Sequence, residues 1–367
     1  MLRLSFLFLL CSMLCPLPAL AASPGTVEAS PVGSIPPYQA RLGRTQPVVA
    51  VVSHNAGTEL SDFVVPYGIL SRSGAAEVWA LAPAAGPIVL HPTLKVEAQA
   101  TLAQFDQRFP QGADYVIVPA VTKPDEPALL DWLKSQAGKG ATIVSICDGA
   151  LVVAQAGLFK GYRATGHWAT QAQREKDFPD TVWLRDVRYV ADRSRISSAG
   201  VSAAIPLSLA LVEAIAGPAR AAAVATEVGV KSWDSRHDSH RFRLGFGLYL
   251  TGALNYLFSR QQDIGLPVSP GVDEIALALS ADAFSRTYRS RAYAVAATPG
   301  SVRTRHGLTL LPDRVRGTGE APARVMADDR QTPSVQALDR TLQEIGTLYG
   351  ADTARLVAVQ LEYPWQP

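Results

Sequence analysis

The sequence predicts an α/β protein, a parallel sheet sandwiched by helices with a nucleophile elbow, followed by a partial C-terminal α/β lobe. Three observations predict it. Segment 47–53 (PVVAVVS) is apolar without alternation, as in a strand buried on both faces. Such runs alternate with helical stretches that end at glycine, the pattern of strand–helix–strand units. Finally, 142–146 leads straight into Cys147-Asp148-Gly149 and a helical run, 150–156, stopped by Gly157. A strand that feeds a helix through one sharp turn holds its first turn residue at the sheet edge, here a thiol.

The elements follow in order. Segment 47–53 is the first core strand, 55–58 a turn, and 61–73 a helix ended by Gly74. A strand at 77–82 is followed by an extended stretch at 88–98 and a helix at 101–109. Segment 115–118 is a third core strand, 126–137 a helix closed by Gly138, and 142–146 the elbow strand. Beyond the elbow, 163–165, 187–191 and 196–198 read as strands, and 205–216 and 218–228 as helices, the second opening on proline as expected at a helix start.

The five domain divisions are a signal peptide (1–21), a flexible leader (22–46), the elbow domain (47–230), a linker with an apolar helix (231–262) and a C-terminal lobe (263–367). Arg3, the apolar run 4–14 and Ala19-Leu20-Ala21 have the layout of a secretory signal cut before Ala22, so the expected location is periplasmic or secreted. The leader is rich in proline, glycine and serine. The charge-free run 244–259 is shorter than the roughly twenty apolar residues a bilayer needs, which favours a buried or inter-domain helix over membrane contact. Segment 291–314 weakly echoes 77–100, an apolar strand, a proline–glycine turn and an extended stretch, and marks the C-terminal region as a degenerate second lobe. Segments 337–349 and 353–363 read as helices.

A net charge of +2 with no basic block gives no footprint for nucleic acid. Cys11 and Cys15 leave with the signal peptide, so the exported chain holds Cys147 alone and no internal disulfide. Cys147 is the candidate nucleophile, because helix-start N–H groups of Asp148 to Ala150 would favour its thiolate and hold an oxyanion. The competing reading is a small polarizable residue packed at a strand end. Asp62 opens a helix after the first strand, which brings it to the same sheet edge as the thiol, as hydrogen-bond partner or general acid/base, or merely as a cap. Glu59 is a neighbouring alternative. His167 offers a Cys–His pair, although beside Trp168 it reads better as structural. His237 and His240, with Asp234 and Asp238, match no metal spacing, and no metal or cofactor is expected.

SICDGALVVAQAGLFKGYRATGHW resembles the core motif of the ThiJ/PfpI family, within the class I glutamine amidotransferase-like fold. The likeness extends over about 47–230 through VVAVVSHNAGTELSDFVVPYGIL, GADYVIVPA and SSAGVSAAIPLSLALVEAIAG, and is nearest to the amidase-like domain of AraC-type regulators. It implies a flavodoxin-like sandwich, a homodimer, Cys147 with Gly149 as the elbow, Asp62 as the acid facing the sulfur, and Gly200, Val201 and Ser202 as the pocket border. Asp148 stands where protease-like members carry histidine, which speaks against a Cys-His-Glu hydrolase triad. The region after Gly229 does not read as a helix-turn-helix domain. Three functions remain open: a cysteine-dependent enzyme acting on a small amide, nitrile, isonitrile or aldehyde, a non-catalytic ligand-binding or redox-sensing module, and a scaffold with a relic pocket.

Overall fold

The computed structural model describes residues 33–365 apart from 320 and 328–330. The expected signal peptide and the start of the leader lie outside the described residues. A seven-stranded sheet forms the centre of the first lobe, in the order Tyr189–Asp192, Arg195–Ser198, Thr142–Ser145, Tyr115–Val118, Val48–Val52, Glu77–Ala82, Ala100–Thr101. Every pairing is parallel except that of the two strands at one edge, Tyr189–Asp192 and Arg195–Ser198. The first strand shows why the unbroken apolar run was needed. Val49 and Val51 pack into one buried cluster, and Val48, Ala50 and Val52 into the other, so successive side chains serve opposite faces of the sheet.

The helix Leu60–Ser73, called here the acid helix, is buried along almost its whole length. Helix Ala204–Ala216 packs on it from its own lobe and helix Glu274–Ser285 from the C-terminal lobe. The elbow helix, Gly149–Gln155, follows the elbow strand Thr142–Ser145.

The C-terminal lobe is a real α/β unit. Its four strands, Arg314–Val315, Ser290–Ala296, Gln262–Val268 and Arg324–Val325, are parallel, with helices Glu274–Ser285, Gln336–Tyr349 and Ala351–Gln360. The strand Gln262–Val268 and the helix after it have no counterpart in the sequence reading, because Gly265 and Pro267 interrupt the apolar pattern. That helix is capped by the Asp273 carboxylate, which accepts from the N–H groups of Ile275 and Ala276.

Two expectations need correction. The leader is not free where it is described: Arg41 and Arg44 grip Asp114 at 2.9 and 2.8 Å, and Tyr38 N–H donates to Ala214. The apolar run forms helix Phe246–Phe258, but it is not buried, and Asn255 alone among its residues is enclosed. Phe246 and Phe258 are 82% and 80% exposed, because only one side of this helix finds a partner, helix Ala351–Gln360. Among the described residues no helix is long and apolar enough to cross a membrane.

Candidate active site

The parallel sheet delivers Cys147 as its topology requires. The thiol stands at the carboxyl end of the elbow strand with φ of 54°, a left-handed backbone conformation that a non-glycine residue adopts only when its surroundings hold it there. The surroundings are specific. Cys147 N–H donates to Ala199 at 3.1 Å, and Ile146 N–H to Val118 at 2.9 Å, so both neighbouring strands pin the turn. A Cβ on Gly149 would lie 2.0 Å from the Val118 carbonyl oxygen, so only glycine allows the elbow helix to start so close to the sheet.

The elbow supplies fewer free donors than expected. Gly149 N–H is taken by Ile146 at 2.8 Å and Ala150 N–H by Cys147 at 3.3 Å, because the turn closes on itself before the helix begins. Asp148 N–H is the backbone donor that remains to favour the thiolate. Burial pushes the Cys147 thiol well above its ordinary range, with the carboxylates of Asp62, Asp148 and Glu59 adding to the rise. Cys147 is 5% exposed. The expected low-lying thiolate is therefore replaced by a thiol that stays protonated at neutral pH.

Asp62 is fully buried on the acid helix. Its Oδ2 accepts from Ala120 N–H at 3.3 Å, while Oδ1 has no hydrogen-bond partner. Burial pushes its carboxyl well above the usual range, and the nearby charge of Glu59 raises it further. A buried carboxyl in this position holds its proton and is a donor. Burial also pushes Glu59 up to about 8, although Arg286 pairs with it and pulls it down. Arg286 also binds Asp282 at 2.6 Å, and Asp282 accepts from Ser61 Oγ at 2.6 Å.

His167 is closer to the chemistry than its sequence context suggests. A His167 ring nitrogen, a carboxylate oxygen of Asp148 and Cys147 Sγ all lie within 4.8 Å of one another. Burial lowers the imidazole against the opposing pull of Glu362 and Asp148, which keeps it neutral, with Nδ1 accepting from Ala169 N–H at 3.3 Å and Nε2 3.2 Å from the Gln360 carbonyl oxygen. Asp148 accepts from Thr170 Oγ1 at 2.5 Å and lies 3.6 Å from Arg174. A guanidinium so close opposes a metal cation at the same carboxylate, so the cluster suits a nucleophile with a base better than a metal centre.

Gly200, Val201 and Ser202 border the site, but their polar groups are occupied. Gly200 N–H donates to Glu362 Oε2 at 2.5 Å, Ser202 N–H to Leu361 at 3.0 Å, and Ser202 Oγ to the Glu362 carbonyl at 2.7 Å. Glu362 itself is buried and meets His237 at 2.7 Å. A cavity of about 790 Å³ is lined by Glu362 itself with Ser202, His237, Arg188 and Phe242 among others. Neither Glu362 nor Arg286 stood out in the sequence. Both come from the C-terminal lobe, and nothing local links them to a cysteine more than a hundred positions away. His237 and His240 do not form a metal site: His237 stacks on Phe242 at 5.2 Å, and Asp234 is engaged by Arg236.

Residues 48–214 match the model of the DJ-1/PfpI family. Over 118 residues the chain is 33% identical to the HTH-type transcriptional regulator CdhR of Pseudomonas aeruginosa, covering 32% of this chain and 35% of the regulator. Over 95 residues it is 34% identical to an isonitrile hydratase of Pseudomonas putida, covering 25% of this chain and 40% of the hydratase. The matched stretch thus covers well under half of either relative's length. Among solved structures, Drosophila melanogaster DJ-1beta is similar at 22% identity and a TM-score of 0.46, over 51% of this chain and 100% of that one. A ThiJ/PfpI family protein from Pseudomonas syringae matches at 23% identity and a TM-score of 0.46, over 51% of this chain and 76% of that one.

Proposed function

Because residues 48–214 form a DJ-1/PfpI family domain, we propose that the chain is an exported enzyme that uses Cys147 to add water to a small electrophile, an isonitrile being the substrate to try first. The observation that carries the reading is the meeting of three proton-transfer groups in a buried site: a strained elbow thiol, a buried Asp62 that acts on it and has one unpartnered oxygen, and neutral His167. A protonated thiol needs a base at the moment of attack, and His167 takes that role by giving up the long Ala169 N–H contact at Nδ1 for the thiol proton. Sulfur attacks the terminal carbon of R–NC while His167 takes the thiol proton, and Asp62 gives its proton to that carbon, leaving a thioimidate. Water then adds to the same carbon, one of its protons going to the nitrogen and the other back to Asp62, the C–S bond breaks, and the proton held by His167 returns to sulfur as the N-substituted formamide leaves. The sum is R–NC plus water, with no redox change and no added cofactor. Glu59 is assigned as the group that tunes Asp62, and Gly200 to Ser202 as the pocket wall.

The partners under this reading are a small molecule and no nucleic acid. Residues 262–296 form a strand, a helix and a second strand, a lobe of the same class as the first. Export rests on the N-terminal sequence, and N-terminal sequencing of the fractionated protein tests it, with Ala22 as the expected first residue.

The test is turnover of small alkyl isonitriles, nitriles, amides and aldehydes by wild type, Cys147→Ala and Asp62→Asn. Saturable formation of product is expected, abolished by Cys147→Ala and reduced about 10²–10⁴-fold by Asp62→Asn, the range of a lost general acid. A second reading, a sensor, is favoured by the C-terminal segment that occupies the polar groups of the Gly200–Ser202 loop. Reaction of Cys147 with peroxide to a sulfenic acid, with no turnover of any of the four classes, would establish that reading instead. Neither reactivity would leave a scaffold.

A further inference from the structure

The C-terminal lobe repeats the first lobe at a shift of 214 positions, from Val48 to Gln262. The helix Leu60–Ser73 corresponds to Glu274–Ser285, and the strand Glu77–Ala82 to Ser290–Ala296. The hairpin that pairs Ile88 with Val96 returns as the one that pairs Val302 with Leu310. The short edge strand that pairs Leu81 with Ala100 returns as Val295 with Arg314. Both lobes then carry a helix pair joined through a glycine at positive φ, Gly217 in one and Gly350 in the other. What the copy lacks is the stretch that holds the elbow. Its sheet stops at Arg324–Val325, which lies beside Gln262–Val268 as Tyr115–Val118 lies beside Val48–Val52.

The two lobes meet as a symmetric dimer's subunits would, residue i touching j′ while j touches i′. Val96 pairs with Leu310, its own counterpart, and Glu97 with Thr309. Gly68 faces Ile275 so closely that a Cβ would lie 2.6 Å from Ile275 Cγ1, and the equivalent pair in reverse is Ser61 with Asp282, at 2.6 Å. The ion pairs obey the same rule. Arg72 binds Asp273 at 2.6 Å, and its counterpart Arg286 binds Glu59, the counterpart of Asp273. Only one of these two pairs lies beside a cysteine.

We infer that the C-terminal lobe is an internal, elbow-less copy docked on a pseudo-two-fold axis in the place of a second subunit, and that Arg286 is the positioning residue it contributes to the Cys147 site. Arg286 holds Glu59 next to Asp62 and also binds Asp282, whereas Arg72, its symmetry mate, binds Asp273 without a second acid, since Gly68 stands where Asp282 would, and at a half-site that has no cysteine. A second copy of the chain cannot use the acid-helix face, since the chain's own copy already fills it. The site role rests on the reading of Cys147 given above. The repeat does not.

The symmetry provides the control. The charged and titratable groups facing Glu59 are Arg286 and Asp282 from the copy, Asp62 on the acid helix and Cys147 at the elbow. Alkylation of Cys147 by iodoacetamide, followed against pH in wild type, Glu59→Gln, Arg286→Gln, Arg286→Lys and Arg72→Gln, should show a step near 8 that disappears in Glu59→Gln. Arg286→Gln should move that step up by about one pH unit or more, the scale of a lost opposite charge, and Arg286→Lys should restore most of it. Arg72→Gln, which breaks the equivalent ion pair to Asp273, should leave it in place. Equal displacement by the two glutamine variants, or none by either, would overturn the inference. If Cys147 does not react in the native chain, the proposed function fails, and the Glu59 carboxyl is followed by carbon NMR with the same pattern expected. A normal wild-type step with no turnover would sink the function and leave Arg286's role intact.

Discussion

At the residue scale, the site turns on where protons rest. Asp62 charged would oppose the thiolate, so Asp62→Asn should lower the midpoint of Cys147 alkylation while also slowing turnover. A variant that is a better nucleophile and a poorer enzyme would separate the acid's role from the thiol's. Unchanged turnover would remove Asp62 from the mechanism. Glu59 sets a stability trend. Its folded carboxyl is raised to about 8, so across the window from the ordinary glutamate range to about 8 the folded state binds more protons than the unfolded one. Its contribution is therefore full in acid and lost as pH rises through that window. Urea unfolding midpoints should fall from pH 5 to pH 8.5 in wild type and fall less in Glu59→Gln. The sequence alone brought out Cys147, Asp62 and Glu59, but it gave the thiolate the helix-start donors of Asp148 to Ala150. The tight turn consumes two of those donors, and burial outweighs the third, which is a matter of atomic positions that no spacing reveals.

At the element scale, the elbow depends on one missing side chain. Gly149→Ala places a methyl 2.0 Å from a backbone oxygen that cannot move without disturbing the strand Tyr115–Val118. The expected cost is about 1–3 kcal/mol, as for overpacking of a rigid core, read from the urea midpoint. Loss of Cys147 reactivity should accompany it, because the thiol's left-handed φ is set by the same turn. A stable and reactive Gly149→Ala chain would show that the elbow is not tight. The helix Phe246–Phe258 teaches the opposite lesson. Hydropathy identifies the element and favours a buried or inter-domain helix, but burial needs partners on every apolar side and this helix has them on one.

At the scale of the whole molecule, the two lobes share one hydrophobic core. A single buried cluster runs from Val49 through Phe63 and Ile275 to Ile345, with the Ser61–Asp282, Glu59–Arg286 and Arg72–Asp273 contacts set into it between the lobes. Unfolding followed by tryptophan fluorescence and by circular dichroism should give one coincident transition. Ile275→Ala, at the pseudo-two-fold contact with Gly68, should lower the stability of the entire chain by about 2–5 kcal/mol. Two separated transitions, with only the later one moved, would show the lobes to be independent.

The sequence by itself determined the strand–helix alternation, the elbow and the identity of its thiol and nearest acids, because these follow from local periodicity and turn chemistry. It also hinted at the repeat through 77–100 and 291–314. Only the tertiary structure decided that the copy docks on the original, that Arg286 and Glu362 enter the site from it, and that His167 comes within reach of the sulfur. Those facts depend on contacts such as that between Glu59 and Arg286, which are 227 positions apart. Such contacts are fixed by the packing of one buried surface on another and leave no signature in any local stretch of chain.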